Sequence, residues 1–312
     1  MVDNTGMASP PIVNIDASTF QHQISKLAET FAQKVKREGQ SQLLGPDGFH
    51  GDIFISLRQA RNTYDFLYWV HSDELRSHYG WRDNYTFASA PLVRTLIDNL
   101  FNVTLLLQDP ATNGVRFRVS GLRKDLLFLD AEKKRYNGIP VWDQYLADSR
   151  QKMDALMRHA GLTEGEVRDK KKFPDWPTLG KYVADGSPNQ HKSFLATFSY
   201  GPWKRYSAIA HGAPEGLHEI GSFLNYDGHS HDDRPDIDGA YPRMMSYHIM
   251  HAAIVLLSII TEVQAAYKFR DSGARINERI VENWRALLPA MEAKEIYDTH
   301  YSQLMKDKHI TS

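Results

Sequence analysis

The sequence predicts an all-α protein, a multi-helix bundle of about nine helices with an irregular insertion rich in Asp, Gly and Pro. Apolar residues recur at steps of three and four through most of the chain. No alternating apolar and polar run bounded by turn pairs competes as a strand. Of the 312 residues, 42% are hydrophobic and 11% aromatic, enough to build a substantial core. A single helical domain is expected over residues 16–312. It follows a tail, 1–15, whose "MVDNTGMASPPI" carries no apolar periodicity.

The first helical stretch, "ASTFQHQISKLAETFAQKVKREG", places Phe20, Ile24, Leu27, Phe31 and Val35 on one stripe. Asp16 or Ser18 suits its start and Gly39 its end. After a Gly-rich loop, "IFISLRQARNTYDFLYWVHSDELRSHY" reads as a helix to about Val70. Pro91 is placed in the first turn of "PLVRTLIDNLFNVTLLLQDP", and Asp109-Pro110 ends it. Helical periods follow over 111–136 and 140–160, divided by Gly138 and Pro140. Gly161, Pro174, Pro177 and Gly186 break 161–190 into pieces.

The segment "GPWKRYSAIAHGAP" (201–214) reads as a short helix opened by Pro202 and closed by Gly212. Next comes the irregular stretch "NYDGHSHDDRPDIDGAYP" (225–242). "RMMSYHIMHAAIVLLSIITEVQAAYKF" then forms a long helix, followed by amphipathic C-terminal ones.

Composition excludes several classes of function. With 37 Lys and Arg against 38 Asp and Glu, the chain lacks the basic surplus of a protein that coats nucleic acid. It has no cysteine, hence no disulfide, zinc–thiolate site, iron–sulfur cluster or thiol nucleophile. The N-terminus has no charged start followed by an apolar run, and the apolar segment 252–260 alone is too short to span a bilayer. A cytoplasmic protein without a membrane partner is expected.

The chemistry concentrates in 201–214. On a helix, Lys204, Ser207 and His211 share a stripe, whereas Arg205 lies about 120° from His211. Their convergence then requires an unwound first turn or a second copy of the chain. If Pro202 opens the helix, Lys204 and Arg205 stand beside free backbone N–H groups that suit a phosphate. An imidazole at the far end, able to be cationic near neutral pH, supplies acid–base chemistry. The plain structural alternative has Lys204 and Arg205 solvated, Ser207 bonded to a carbonyl, and His211 merely finishing the helix.

"RYSAIAH", with Arg205 and His211 five residues apart, resembles the Arg-x(4–6)-His motif of the HEPN superfamily. That resemblance implies an all-helical, often dimeric, metal-independent RNase, of a kind found in toxin and antiviral defence systems. It implies Arg205 as phosphate ligand and His211 as acid–base group, with no cofactor. RNA or a nucleotide would be the substrate or ligand, and an antitoxin-type protein a further partner. Lys204, Tyr206 and Ser207 would assist in binding, Tyr206 by packing or by stacking on a base. Tyr206 stands where those nucleases carry a polar residue. The chain is also similar to a group of uncharacterised bacterial helical proteins, through Arg94 and Asp98 in "VRTLIDNLFN" and through "YGPWKRYSAIAHGAP".

Arg94 and Asp98, four apart, can pair on one helix face and orient a residue such as His211. Arg58, Arg61 and Asp65 repeat that polar content and are candidates for the same cleft. His229, His231, Asp232 and Asp233 in the irregular loop offer a metal-ligand alternative. His248 and His251 can share a helix face, with Glu262 out of their reach. A single Glu215-x-x-His218 falls short of a di-iron set. The basic run "RDKKKF" (168–173), near Trp176, is a candidate RNA contact. The leading expectation is a metal-independent RNase. The alternative is a non-catalytic helical module that binds a nucleotide, an anion or a partner protein.

Overall fold

In the computed structural model the described residues are 17–39, 49–70, 83–185, 189–224, 237–269 and 275–302. Among them the chain is all-helical, without a strand. The helices are α1 (Ala17–Glu38), α2 (Phe49–Val70), α3 (Asp83–Gln108), α4 (Pro110–Tyr136), α5 (Pro140–His159), α6 (Glu164–Arg168) and α7 (Leu179–Ala184). There follow α8 (Gln190–Phe198), a π-helical turn (Ser199–Trp203), α9 (Lys204–Ala210), α10 (Pro214–Leu224) and α11 (Ile237–Tyr267). The last are α12 (Ile276–Leu287), α13 (Met291–Ile296) and a second π-helical turn (Tyr297–Tyr301).

The bundle is organised around α11, which packs on α1, α2, α3 and α12. Its stretch Ala252–Ile260 is buried throughout, which explains why it is apolar all round instead of on one stripe. By contrast α1 buries only the predicted face, with Ile24, Leu27, Phe31 and Val35 in the main core. By length and composition, Ala88–Gln108 and Met245–Tyr267 are each long and apolar enough to cross a membrane. The run 252–260 is thus the middle of a much longer apolar helix. In these two windows 61% and 78% of the residues are buried inside the protein, as in the core helices of a packed bundle.

A smaller core of Val119, Leu126, Met153, Met157 and Val167 joins α4, α5 and α6. Beside it the buried Arg123 donates to the carbonyls of Val167 (2.7 Å) and Phe173 (2.6 Å) and pairs with Asp175 (2.5 Å). Together with Arg116, which donates to the carbonyls of Pro174 and Asp175, it holds the irregular stretch after α6 against α4.

Local punctuation matches several expectations. As expected, α3 ends at Gln108, directly before Asp109-Pro110; Asp109 then caps α4, its carboxylate accepting from Thr112 N, with Pro110 at the first helical position. Gly138 and Gly161 take positive φ at the breaks on either side of α5. Two boundaries differ. Pro91 lies inside α3 and does not open it, so this helix accepts the loss of one backbone donor. Residues 237–242, expected to be irregular, form the first turns of α11.

Candidate functional site

The helix predicted from Pro202 to Gly212 is not a free-standing one. Pro202 lies within the first π-helical turn, which continues α8 into α9. Trp203 and Lys204 keep right-handed helical dihedrals, and Lys204 N–H donates to Gly201 O. The start of α9 therefore lacks the exposed donors of a helix N-terminus, and the expected backbone cradle for an anion is not formed there. Its end is as predicted. Ala213 N–H donates to Ala208 O and Gly212 N–H to Ile209 O, with Gly212 at φ +60°, a Schellman motif. The chain then turns into α10, which crosses α9 so closely that a Cβ on Gly216 would lie 2.4 Å from the carbonyl of Ala208.

The predicted residues divide between the two sides of α9. Tyr206 is wholly buried, its Oη hydrogen-bonded with His251 Nδ1 at 2.8 Å and its ring edge-on to His248. Of the two roles expected of Tyr206, it therefore takes packing, since a base has no access to its ring. Lys204, Arg205 and His211 are exposed. Lys204 Nζ lies 5.5 Å from the Tyr200 ring centroid, and the Arg205 guanidinium lies 5.5 Å from that of Tyr247. Ser207 is half-buried, and its Oγ has no hydrogen-bond partner. Arg205 stands in the first turn of α9 and His211 at its C-cap. On a regular helix they are about 9 Å apart along the axis, and α9 contains no unwound turn to bring them together.

Arg94 and Asp98 form the expected i,i+4 pair on α3, at 3.9 Å, but they do not serve His211. Asp98 instead accepts from Trp203 Nε1 at 2.9 Å, and the Arg94 guanidinium lies 5.5 Å from the Trp203 ring centroid. The group they hold is the π-helical turn ahead of α9. Arg58, Arg61 and Asp65 face α1. Both arginines pair with Glu29, and Ser25 Oγ donates to Asp65 at 3.0 Å. The Gln33 amide, followed by the two arginines, holds the Glu29 carboxyl below its usual range.

The basic run is largely neutralised where it stands. Arg168 pairs with Glu164 and Asp130, Lys170 with Asp175, and Lys172 with Glu166. His229, His231, Asp232 and Asp233 lie outside the described residues. His248 and His251 are buried under Tyr206, and neither reaches Glu262 as a partner. Burial, with Arg205 adding to it, lowers the His251 pKa to about 3.

A second constellation joins residues far apart in sequence. His191 in α8, Glu262 in α11 and His300 in the second π-helical turn place one donor atom each within 4.8 Å of one another. His300 Nε2 is 2.8 Å from Glu262 Oε1, and His191 Nδ1 is 3.7 Å from Glu262 Oε2. Tyr301 Oη donates to Glu262 Oε1 at 3.1 Å, and Phe194 stacks on the His300 ring at 4.3 Å. Burial lowers the His191 pKa, against the opposing pull of Glu262. Sequence spacing gives no sign of this cluster. Its one legible trace is a carboxylate inside the apolar run "IVLLSIITEVQ". Compared with known proteins, the chain matches no family model, no curated protein and no solved structure.

Proposed function

We propose that the exposed side of α9 binds a phosphate-bearing ligand, and that the protein is a metal-independent ribonuclease acting as a cytoplasmic homodimer. The observation that carries this reading is the division of α9. Tyr206 and Ile209 anchor one side in the core, while Lys204, Arg205 and His211 stand exposed. Because the backbone donors at the start of α9 are engaged, the side-chain cations hold the phosphate. Arg205 stabilises the charge that develops on it, and His211 moves the proton of the ribose 2′-hydroxyl or of the leaving oxygen. An antiparallel pairing of two α9 helices sets Arg205 of one copy beside His211 of the other, which the separation of these residues along a single helix requires.

Purified protein incubated with RNA in EDTA should leave cyclic-phosphate ends. His211→Ala should slow cleavage by on the order of a hundredfold or more, Arg205→Ala alone should slow it too, and a mixture of the two variants, able to form one complete site, should regain part of the activity. RNA cut equally well by His211→Ala removes the nuclease reading. If no preparation cuts RNA, yet Lys204→Ala and Arg205→Ala weaken nucleotide binding, the protein is the non-catalytic binding module instead.

A further inference from the structure

We propose that His191, Glu262 and His300 bind a divalent first-row transition-metal ion, with zinc the best match to the donors. Two imidazole nitrogens and a carboxylate oxygen form a set that zinc takes readily. Metal–ligand bonds of about 2.0–2.2 Å put tetrahedral donors roughly 3.3 Å apart. His300 Nε2 lies 2.8 Å from Glu262 Oε1 and His191 Nδ1 lies 3.7 Å from Oε2, and one donor atom from each of the three residues falls within 4.8 Å of the others. An ion between them would draw the three donors toward that spacing.

Electrostatics favours a cation at this point. Glu262 is 5% exposed, and among the described residues no lysine or arginine pairs with it; its ionic partners are the two histidines. A carboxylate buried without a permanent cation is costly, and a divalent ion supplies the missing charge. His191 Nδ1 is itself buried and has no hydrogen-bond partner. The surroundings also resemble the outer support of a metal site. Tyr301 Oη bonds the carboxylate, and Phe194, three residues beyond His191, fixes the His300 ring by stacking. His300 rides on a π-helical turn, a distortion common at functional positions. The His191 side chain is 33% exposed, so solvent reaches one side of the cluster. The ion would join α8, α11 and the C-terminal turn, and it takes no part in the metal-free chemistry proposed for α9.

The test uses the full chain, stripped with chelator and titrated with zinc chloride by calorimetry, with cobalt(II) chloride as spectroscopic probe. One zinc per chain, a raised Tm and visible cobalt absorption of a low-coordinate nitrogen–oxygen site are expected. Losing an outer-shell partner typically weakens metal binding about 10–100-fold, so losing the direct ligand in His191→Ala should cost roughly a hundredfold or more. Because His191 is partly exposed, that variant should fold, which circular dichroism checks; Glu262→Gln provides a second, near-isosteric test. The paired variant His229→Ala and His231→Ala should keep the site. Failure of the wild-type chain to take up zinc overturns the proposal, as does uptake that survives His191→Ala or that disappears when His229 and His231 are replaced. RNA cleavage is not the readout, so neither result bears on the α9 reading.

Discussion

Trp203 Nε1 donates to Asp98 Oδ1 across 105 residues of sequence, joining the π-helical turn to the face of α3. The bond ties the residue immediately before α9, and so the approach to Lys204 and Arg205, to the face of α3. A half-buried indole N–H that loses its acceptor forfeits about 1–2 kcal/mol. Asp98→Ala should lower the Tm accordingly, whereas Trp203→Phe keeps a ring beside Arg94 and loses only the hydrogen bond. In a double-mutant cycle the two changes should be non-additive, and strict additivity would mean that the bond does not form in solution.

Gly216 and Gly121 make opposite predictions for the same substitution. A Cβ on Gly216 meets the Ala208 backbone at 2.4 Å, so Gly216→Ala must push α10 off α9, at a cost of about 2 kcal/mol or more. At Gly121, exposed on α4, a Cβ meets nothing within 4 Å. Gly121→Ala should therefore stabilise by about 0.5–1 kcal/mol through helix propensity. Urea unfolding of the two variants compares them directly.

His251 and Asp52 give stability opposing pH dependences. The buried His251 titrates at about 3 when folded, below the ordinary imidazole value of 6.5, so the unfolded chain binds its proton first as pH falls. Its contribution is complete above about pH 6.5 and is lost toward pH 3, with a slope approaching 1.4 kcal/mol per pH unit. Burial raises Asp52 from 3.8 to about 6, against the pull of Arg118, so here the folded chain holds the extra proton. Asp52 therefore adds stability as pH falls from about 6 to 4. Unfolding free energies measured between pH 4 and 7 should fall less steeply with acid in His251→Gln and more steeply in Asp52→Asn.

Arg123 satisfies three carbonyls and one carboxylate from a buried position. Arg123→Met leaves those carbonyls unpaired and should cost about 2–4 kcal/mol. Arg123→Lys should rescue little, because one ammonium cannot span four acceptors set for a planar fork. Limited proteolysis should show cleavage between residues 168 and 178 rising in both variants.

Much of the framework was legible because its causes are local. The stripe of α1, the Asp109-Pro110 junction, the breaks at Gly138 and Gly161 and the Schellman end at Gly212 each depend on residues within a turn or two of one another. The start of α9 is not legible, for a related reason. Proline after glycine is a common helix opening, and only the packing of α8 ahead of it shows that the helix runs through Pro202 as a π turn. The choice between packing and stacking for Tyr206 is not legible either, because helical spacing does not say which side of a short helix faces the core.

The sequence by itself determined an all-helical protein, most of its helix ends and the chemistry available on α9, since periodicity and turn residues act over a few positions. Tertiary structure alone decided that Asp98 serves Trp203, that Arg58 and Arg61 hold α1, and that Tyr206 covers His251. It also set His191 and His300 on either side of Glu262, in a helix whose apolar run shows no metal spacing. Those partners come from different helices, and their meeting is decided by how helix faces pack, which no local stretch of sequence encodes.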